Sequence, residues 1–436
     1  SPTSEGVNPA WAAQCGFAYG QCIRRKQRVL RGVPLLLGSE CMNDRIFINA
    51  VDMDGAPVHV AVQQGRITSM ASECPVLPHA EVVDVAGHVL LPGFVDGHIH
   101  LDKSFVGDRW HSHQPVSSLR ERLAVEKQAL ASARPMVARA EALMAQAAGF
   151  GTMAMRCHVD VDATTQLTHL EAVLQAHAKW EQWLEIELVA FPQAGVVSCP
   201  GTAQVLDQAM RAGAQVVGGI DPTTFDGDPD RQLDVVFDLA ERHAAKVDVH
   251  LHEPGEICMA DLQRIAARTE ALGMQGRVAV SHAYGLGDLD DAALQRIAEV
   301  LARAGIAIMT NAPGNHGFPP VLKLREAGVR VFSGNDNIQD AWWPFGNGDM
   351  LQRAMLVAYR SGFYTDADLR VALDMATHAS AAVMGKADYG LQPGHAADFV
   401  LVQAPNAAAA VATAPYARKV VRKGEIWQLP EAVAAR

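Results

Sequence analysis

Short apolar runs alternate with longer Ala-, Leu- and Glu-rich stretches along most of the chain. The short runs show little internal polar alternation, as in strands that are buried on both faces of a parallel sheet. The longer stretches repeat apolar residues at the helical period. The alternation therefore predicts repeated βα units. Eight such runs begin at His88, Gly151, Leu184, Ala214, Lys246, Arg277, Gly305 and Val329.

The number of runs indicates the fold class. Eight parallel strands, each followed by a helix, predict an α/β protein with a (β/α)8 barrel of TIM type. Residues 42–90 and 391–428 differ, because they contain short alternating strands such as "DRIFINAV" and "ADFVLVQ". These segments predict a small β-sandwich that is built from both chain ends.

These patterns divide the chain into three predicted parts. Residues 41–90 and 391–436 form the sandwich, and residues 91–390 form the barrel. Residues 1–40 carry the basic cluster "RRKQR" and the apolar patch "VPLLL", which is too short for a signal peptide or a membrane span. We interpret this segment as a poorly ordered extension.

Polar side chains stand at the end of each predicted barrel strand. They are His98 and His100, Arg156 and His158, Gln193, Asp221, His250 with Glu253, His282, Asn311, and Asp336. Any one of them could be an ordinary hydrogen-bonded strand terminus. Together they predict an active site, because catalytic groups of such barrels gather where the strands end.

The motif "HIH" at the end of the first run indicates a metal site. His98 and His100 are two positions apart on a strand, so both side chains point to the same side. Such a pair alone also occurs in ordinary cores. With His250, His282 and Asp336 it forms a nitrogen and oxygen set that suits zinc, ferrous iron or manganese. The absence of thiolate partners favours an open, catalytic site over a structural one.

Composition narrows the classes of partner. The chain has 436 residues, of which 49% are hydrophobic and 19% charged, and its net charge is −11. This acidic balance argues against a nucleic-acid or anionic membrane surface, so a small molecule is the expected partner. Seven scattered cysteines without a C-x-x-C motif favour a reducing cytoplasm. A homo-oligomer remains possible.

Several motifs resemble those of one enzyme family. The string "LPGFVDGHIHLDK", followed by "VAFPQAG", "VDVHLHEPGE", "SHA" and "DNIQDAWWPFGNGDM", resembles the cytosine deaminase branch of the amidohydrolase superfamily. The strings "RCHVDVD", "VGGIDP" and "PFGNGDM" are also similar to N-isopropylammelide amidohydrolases. The resemblance covers roughly residues 42 to 430.

The resemblance implies a ligand set. It makes His98, His100, His250 and Asp336 the ligands of one divalent metal, with zinc or iron expected and manganese possible. It places His282 beside the attacking hydroxide or the substrate. The fourth strand, "AQVVGGIDP", offers no lysine for carboxylation as a bridge, which favours one metal over two.

The resemblance also implies catalytic and substrate-binding roles. Asp336 would accept a proton from the activated water, and Glu253 would carry protons to the ring nitrogen and the leaving amine. Gln193 would match the cis-amide edge of a pyrimidine or triazine, and Trp342 or Trp343 would cover the ring. Other predicted pocket residues are Lys103, Arg156 and His158, with His252 and His316 as outer or loop groups.

Three classes of function compete at this point. The favoured class is a hydrolytic deaminase that acts on cytosine or a related pyrimidine or triazine, because of the position of Glu253. The alternative is an amidohydrolase that removes an alkylamine from a triazine or opens a cyclic amide. A non-catalytic metal-binding barrel ranks last, because the expected ligands and the proton carrier are all present.

Overall fold

The computed structural model describes residues 44–314 and 316–427 of the chain. The extension predicted for residues 1–40 lies outside the described residues. The strands are β1 (Arg45–Val51), β2 (Pro57–Gln63), β3 (Arg66–Ala71), β4 (Glu81–Asp84), β5 (Val89–Pro92), β6 (Phe94–Ile99), β7 (Thr152–Asp160), β8 (Glu185–Phe191), β9 (Val216–Ile220), β10 (Lys246–Leu251), β11 (Val278–His282), β12 (Ala307–Met309), β13 (Val331–Phe332), β14 (Phe399–Val402), β15 (Arg418–Arg422) and β16 (Glu425–Trp427).

The α-helices occupy the intervals between these strands. They are α1 (Leu119–Ala131), α2 (Met136–Gly149), α3 (Thr168–His177), α4 (Thr202–Arg211), α5 (Pro229–Arg242), α6 (Gly255–Ala271), α7 (Asp291–Arg303), α8 (Val321–Glu326), α9 (Met350–Ser361), α10 (Asp366–Met375), α11 (His378–Val383) and α12 (Ala407–Thr413). In the described part of the chain, none of them is long and apolar enough to cross a membrane.

Strands β6–β13 form a nearly closed parallel barrel, which confirms the predicted fold class. The last strand approaches the first through two glycines. The Gly97 amide donates to the Ser333 carbonyl at 3.0 Å, and the Asp336 amide donates to the His98 carbonyl at 2.7 Å. A Cβ atom on Gly334 would lie 2.3 Å from the His98 backbone nitrogen, so only glycine permits this approach. The closure places Asp336 beside His98.

A second sheet joins the two ends of the described chain. Its order is β16-β15-β14-β5-β1-β2-β3, with β4 paired to β1. Its small apolar core includes Phe47, Val60, Leu90 and Phe399, which confirms the predicted sandwich. The run that begins at His88 is not one strand, however, because β5 belongs to this sheet and only β6 belongs to the barrel.

Helix α1 differs from the other helices in its buried face. Its buried side chains are Arg122 and Glu126, both charged. Arg122 donates to the carbonyl of Ala341 at 2.7 Å. Polar contacts therefore attach α1 to the loop after β13, and Glu126 faces the site that is described next.

Candidate functional site

Three predicted ligands converge at the end of β6. The Nε2 atoms of His98 and His100 lie 3.3 Å apart. Oδ1 of Asp336 lies 3.4 Å from Nε2 of His98 and 3.3 Å from Nε2 of His100. All three residues are buried. These distances bring three potential ligand atoms to one point.

The remaining predicted ligands surround the same point. The rings of His250 and His282 lie 4.7 Å and 5.1 Å from the ring of His98, measured between centroids. Both nitrogens of His250 and Oδ1 of Asp336 are buried and have no hydrogen-bond partner within the described part of the chain. Unpartnered buried polar atoms are costly. A divalent cation would satisfy them together, so this donor set fits the metal that the sequence predicts.

The charge states of the cluster agree with this role. Burial and the neighbouring His98 and His158 hold the pKa of His250 well below its ordinary value, so the ring is neutral and keeps a free lone pair. Burial alone would raise the pKa of Asp336, but His282 and the other histidines outweigh it and hold that pKa well below its usual range. Neutral imidazoles and an ionised carboxylate are the forms that bind metals.

Strained backbone occurs at several of these strand ends. The φ angles of His282, Asp336 and Asp221 are 75°, 60° and 32°. Residues other than glycine rarely adopt this region, at a cost of order 1–3 kcal/mol each. Such strain gathers at functional sites, where surrounding contacts impose it.

A cavity of about 300 Å³ opens directly onto the cluster. His100, His250, His282 and Asp336 form its floor. The predicted residues that line its walls are Lys103, Gln193, Trp342, Trp343, His252 and His316. The cavity therefore joins the predicted metal ligands to most of the predicted substrate contacts.

Arg156 and His158 do not line this cavity, contrary to prediction. The guanidinium of Arg156 contacts Glu187 at 2.7 Å and Asp248 at 3.0 Å inside the barrel. The ring of His158 stacks against His98, with 3.8 Å between centroids. Arg156 is thus paired inside the barrel, whereas both ring nitrogens of His158 have no hydrogen-bond partner within the described residues, and one of them lies within 4.8 Å of ligand atoms of His98 and His250.

One wall of the cavity is a hydrogen-bonded network. Lys103 donates to Oε1 of Gln193, and Nε2 of Gln193 donates to Glu126 at 2.7 Å. Nε1 of Trp342 also donates to Glu126. Lys103 stays an ammonium ion, because Asp160 and Glu126 raise its pKa and outweigh the effect of burial. Sequence reasoning missed Glu126, which lies on a polar helix away from any strand end.

A histidine and aspartate pair also lines the cavity. Nδ1 of His252 lies 2.8 Å from Oδ2 of Asp221, and the His252 ring stacks on His282 at 4.7 Å. Burial lowers the pKa of His252, but Asp221 outweighs burial and raises it overall. Asp221 therefore favours the protonated form of His252, which lines the cavity. From the sequence, His252 was expected only as an outer or loop group, although it forms a second H-x-H motif with His250.

Glu253 is buried and is not among the residues that line the cavity. Its Oε1 accepts from the backbone amides of Thr223 and Thr224 at 2.9 Å and 2.5 Å. Burial and the neighbouring Asp261 raise the pKa of Glu253 to about 8, so the carboxyl is protonated at neutral pH. Its role as proton carrier stays a prediction.

Comparisons with known proteins agree on one family. The model of the Amidohydrolase family matches residues 113–428. An N-isopropylammelide isopropyl amidohydrolase of a Pseudomonas species (strain ADP) is 31% identical over 363 residues, which cover 81% of this chain and 89% of that protein.

Two solved structures are also similar to the chain. The N-isopropylammelide isopropylaminohydrolase of Burkholderia multivorans is 39% identical, with a TM-score of 0.84 over 88% of this chain and 98% of that one. The 5-methylcytosine deaminase of Klebsiella pneumoniae, liganded with 5-fluorocytosine, is 28% identical, with a TM-score of 0.78 over 88% of this chain and 97% of that one.

Proposed function

The chain belongs to the amidohydrolase family, and on that premise we propose that it hydrolyses the bond between a ring carbon of a planar nitrogen heterocycle and an exocyclic amine. The family establishes a hydrolase of carbon–nitrogen bonds other than peptide bonds. One observation carries the finer proposal. The predicted ligand cluster, Gln193 and His252 all line one cavity.

One divalent cation, zinc or iron, would be held by His98, His100, His250 and Asp336. When bound, it supplies a Lewis acid that lowers the pKa of water from 15.7 towards about 7. Asp336 lies on the cavity floor with Oδ1 unpartnered among the described residues, so it can accept the proton of the attacking water. His282 lies on the same floor and can orient that water or the substrate.

The side chains of Gln193 and Trp342 would bind the heterocycle. The Gln193 amide keeps one hydrogen and one lone pair beyond its bonds to Glu126 and Lys103. These match the adjacent N–H and C=O groups of an oxo-substituted pyrimidine or triazine. The indole of Trp342, which Glu126 fixes in place, can stack on the ring.

Protonation of the ring nitrogen and of the leaving amine requires an acid near the substrate. His252 faces the cavity, and Asp221 favours its charged form. Burial and Asp261 raise the pKa of Glu253 to about 8, which favours its protonated form at neutral pH, but Glu253 does not line the cavity. We therefore propose His252 as the group that contacts the substrate and keep Glu253 as the competing candidate.

Two leaving amines each have support. The likeness to a 5-methylcytosine deaminase supports ammonia. The likeness to two enzymes named for N-isopropylammelide supports an alkylamine. Leu119, Phe191 and Ile220 line the cavity and offer an apolar surface for an alkyl group. Both reactions use the same attack on a ring carbon.

Product analysis separates these two reactions. Zinc-loaded protein would be incubated with cytosine, 5-methylcytosine and N-isopropylammelide, and released ammonia and isopropylamine would be measured in each sample. We expect release of one of these amines from at least one substrate. Ring opening without amine release would contradict the proposal, and so would the absence of turnover on all three.

Replacing Gln193 with Ala should lower kcat/KM for the best substrate. The fall should correspond to a loss of about 1–3 kcal/mol in transition-state stabilisation, because polar groups of the substrate and of Glu126 lose their partner. Metal content should stay unchanged, since Gln193 is not a ligand. The control variant is Gln215→Ala. Gln215 lies just before β9, and its side chain accepts a hydrogen bond from the Leu188 amide. Equal kcat/KM in the Gln193 and Gln215 variants would assign Gln193 to packing.

A further inference from the structure

A line of buried polar side chains crosses the interior of the barrel beneath the ligand cluster. Nδ1 of His98 lies 2.9 Å from Oγ of Ser281. Oγ of Ser281 donates to Oδ1 of Asp248 at 2.7 Å. Oδ2 of Asp248 accepts from Arg156 at 3.0 Å. All four residues are at most 1% exposed. Water therefore does not compete for these hydrogen bonds.

The direction of each bond follows from the number of protons available. The carboxylate of Asp248 can only accept, so the single hydroxyl proton of Ser281 is committed to it. Oγ of Ser281 must then accept from His98, which carries its proton on Nδ1. Nε2 of His98 is left with a free lone pair, and that atom faces His100 and Asp336 at 3.3 Å and 3.4 Å.

Arg156 holds this arrangement in place from the far side. Its guanidinium also donates to Glu187 at 2.7 Å and to the carbonyl of Val383 at 3.2 Å. These two contacts fix the plane of the guanidinium, and the guanidinium in turn fixes Asp248. A buried ion pair of this kind is a costly way to gain stability, but it specifies a unique geometry.

We propose that Arg156, Asp248 and Ser281 form a positioning chain for the metal ligand His98. The chain selects the Nδ1–H tautomer of His98 and aims its Nε2 lone pair at the cation. Arg156 thus serves the metal centre and not the substrate. The inference rests on the proposed function only in that a divalent cation binds His98.

The test measures zinc affinity and needs no substrate. The dissociation constant would be determined by competition with a chelator of known affinity, for the wild-type protein and for Ser281→Ala. Loss of such an outer partner typically weakens metal binding 10–100-fold, and we expect a loss of that size. The visible spectrum of the cobalt-loaded protein should change as well, because it reports the geometry of the ligands.

A second variant and a matched control keep the test decisive. Asp248→Asn retains the shape but has one oxygen where Ser281 and Arg156 need two, so it should also weaken zinc binding. Ser333 is equally buried, and its hydroxyl has no partner within the described residues, so Ser333→Ala should bind zinc like the wild type. Wild-type zinc affinity in both Ser281→Ala and Asp248→Asn would overturn the proposal. So would an equal loss in the Ser333→Ala control.

Failure of the positioning chain is distinguishable from failure of the proposed function. A wild-type protein that binds no divalent cation would refute the metal centre itself. A wild-type protein that binds zinc, with variants of unchanged affinity, would refute only the chain.

Discussion

Protein with Asp336 replaced by Ala should lose its bound metal, and its turnover should fall by a factor of more than about 10⁴. Asp336 supplies the anionic ligand of the cluster and is also the proposed acceptor of the water proton, so both functions end together. The expected size follows from the fall in hydroxide availability near neutrality when no cation lowers the pKa of water. Elemental analysis and amine release, measured on the same sample, check the prediction.

A buried aspartate elsewhere in the barrel provides the control. Asp349 is as buried as Asp336, at 3% exposure, and it caps α9 by accepting from the amides of Leu351 and Gln352. Asp349→Ala removes this cap and also the buried ion pair with Arg418, so it should lower stability by about 3–5 kcal/mol and leave the metal content intact. Full metal content and full turnover in the Asp336 variant would remove that residue from the site.

Replacing His252 with Gln should lower turnover by about 10² to 10⁴-fold, the usual contribution of a general acid, while metal stays bound. The amide cannot carry the proton that the leaving amine requires. Turnover of the wild type should fall as the pH rises through the raised pKa of His252, since the protonated form is the active one. The variant should lose this alkaline decline.

The variant Glu253→Gln should be compared with the His252 variant in the same measurements of turnover and pH dependence. Glu253 has a pKa of about 8 and would produce an alkaline decline of its own, so the pH profile must be measured in both variants. A 10² to 10⁴-fold loss in the Glu253 variant, with near-normal turnover in the His252 variant, would make Glu253 the proton carrier and contradict our assignment.

Much of the barrel was predictable because its strands are buried on both faces. Each run is apolar along its length and ends in a polar residue, so the eight runs and their ends stand out without any knowledge of contacts. The prediction for the run that begins at His88 was less accurate. Apolar residues continue from β5 into β6, and the sequence does not mark the change of sheet.

The position of a side chain along the barrel axis was harder to predict. Arg156 and His158 are two positions apart on β7, so both side chains point into the barrel. The period of a strand does not show how deep in the barrel each side chain lies. Arg156 lies below the ligands, where Glu187 and Asp248 neutralise its charge. Glu126 was missed for a related reason, since only its tertiary contacts with Gln193 and Trp342 bury it.

The most direct test of the metal-dependent mechanism is amine release by metal-free protein during titration with zinc. The substrate is the one in the panel that releases amine fastest. We predict that the metal-free protein is inactive and that activity rises with added zinc to a plateau at about one ion per chain, as one open four-ligand site requires. Full amine release before any zinc is added would contradict the account.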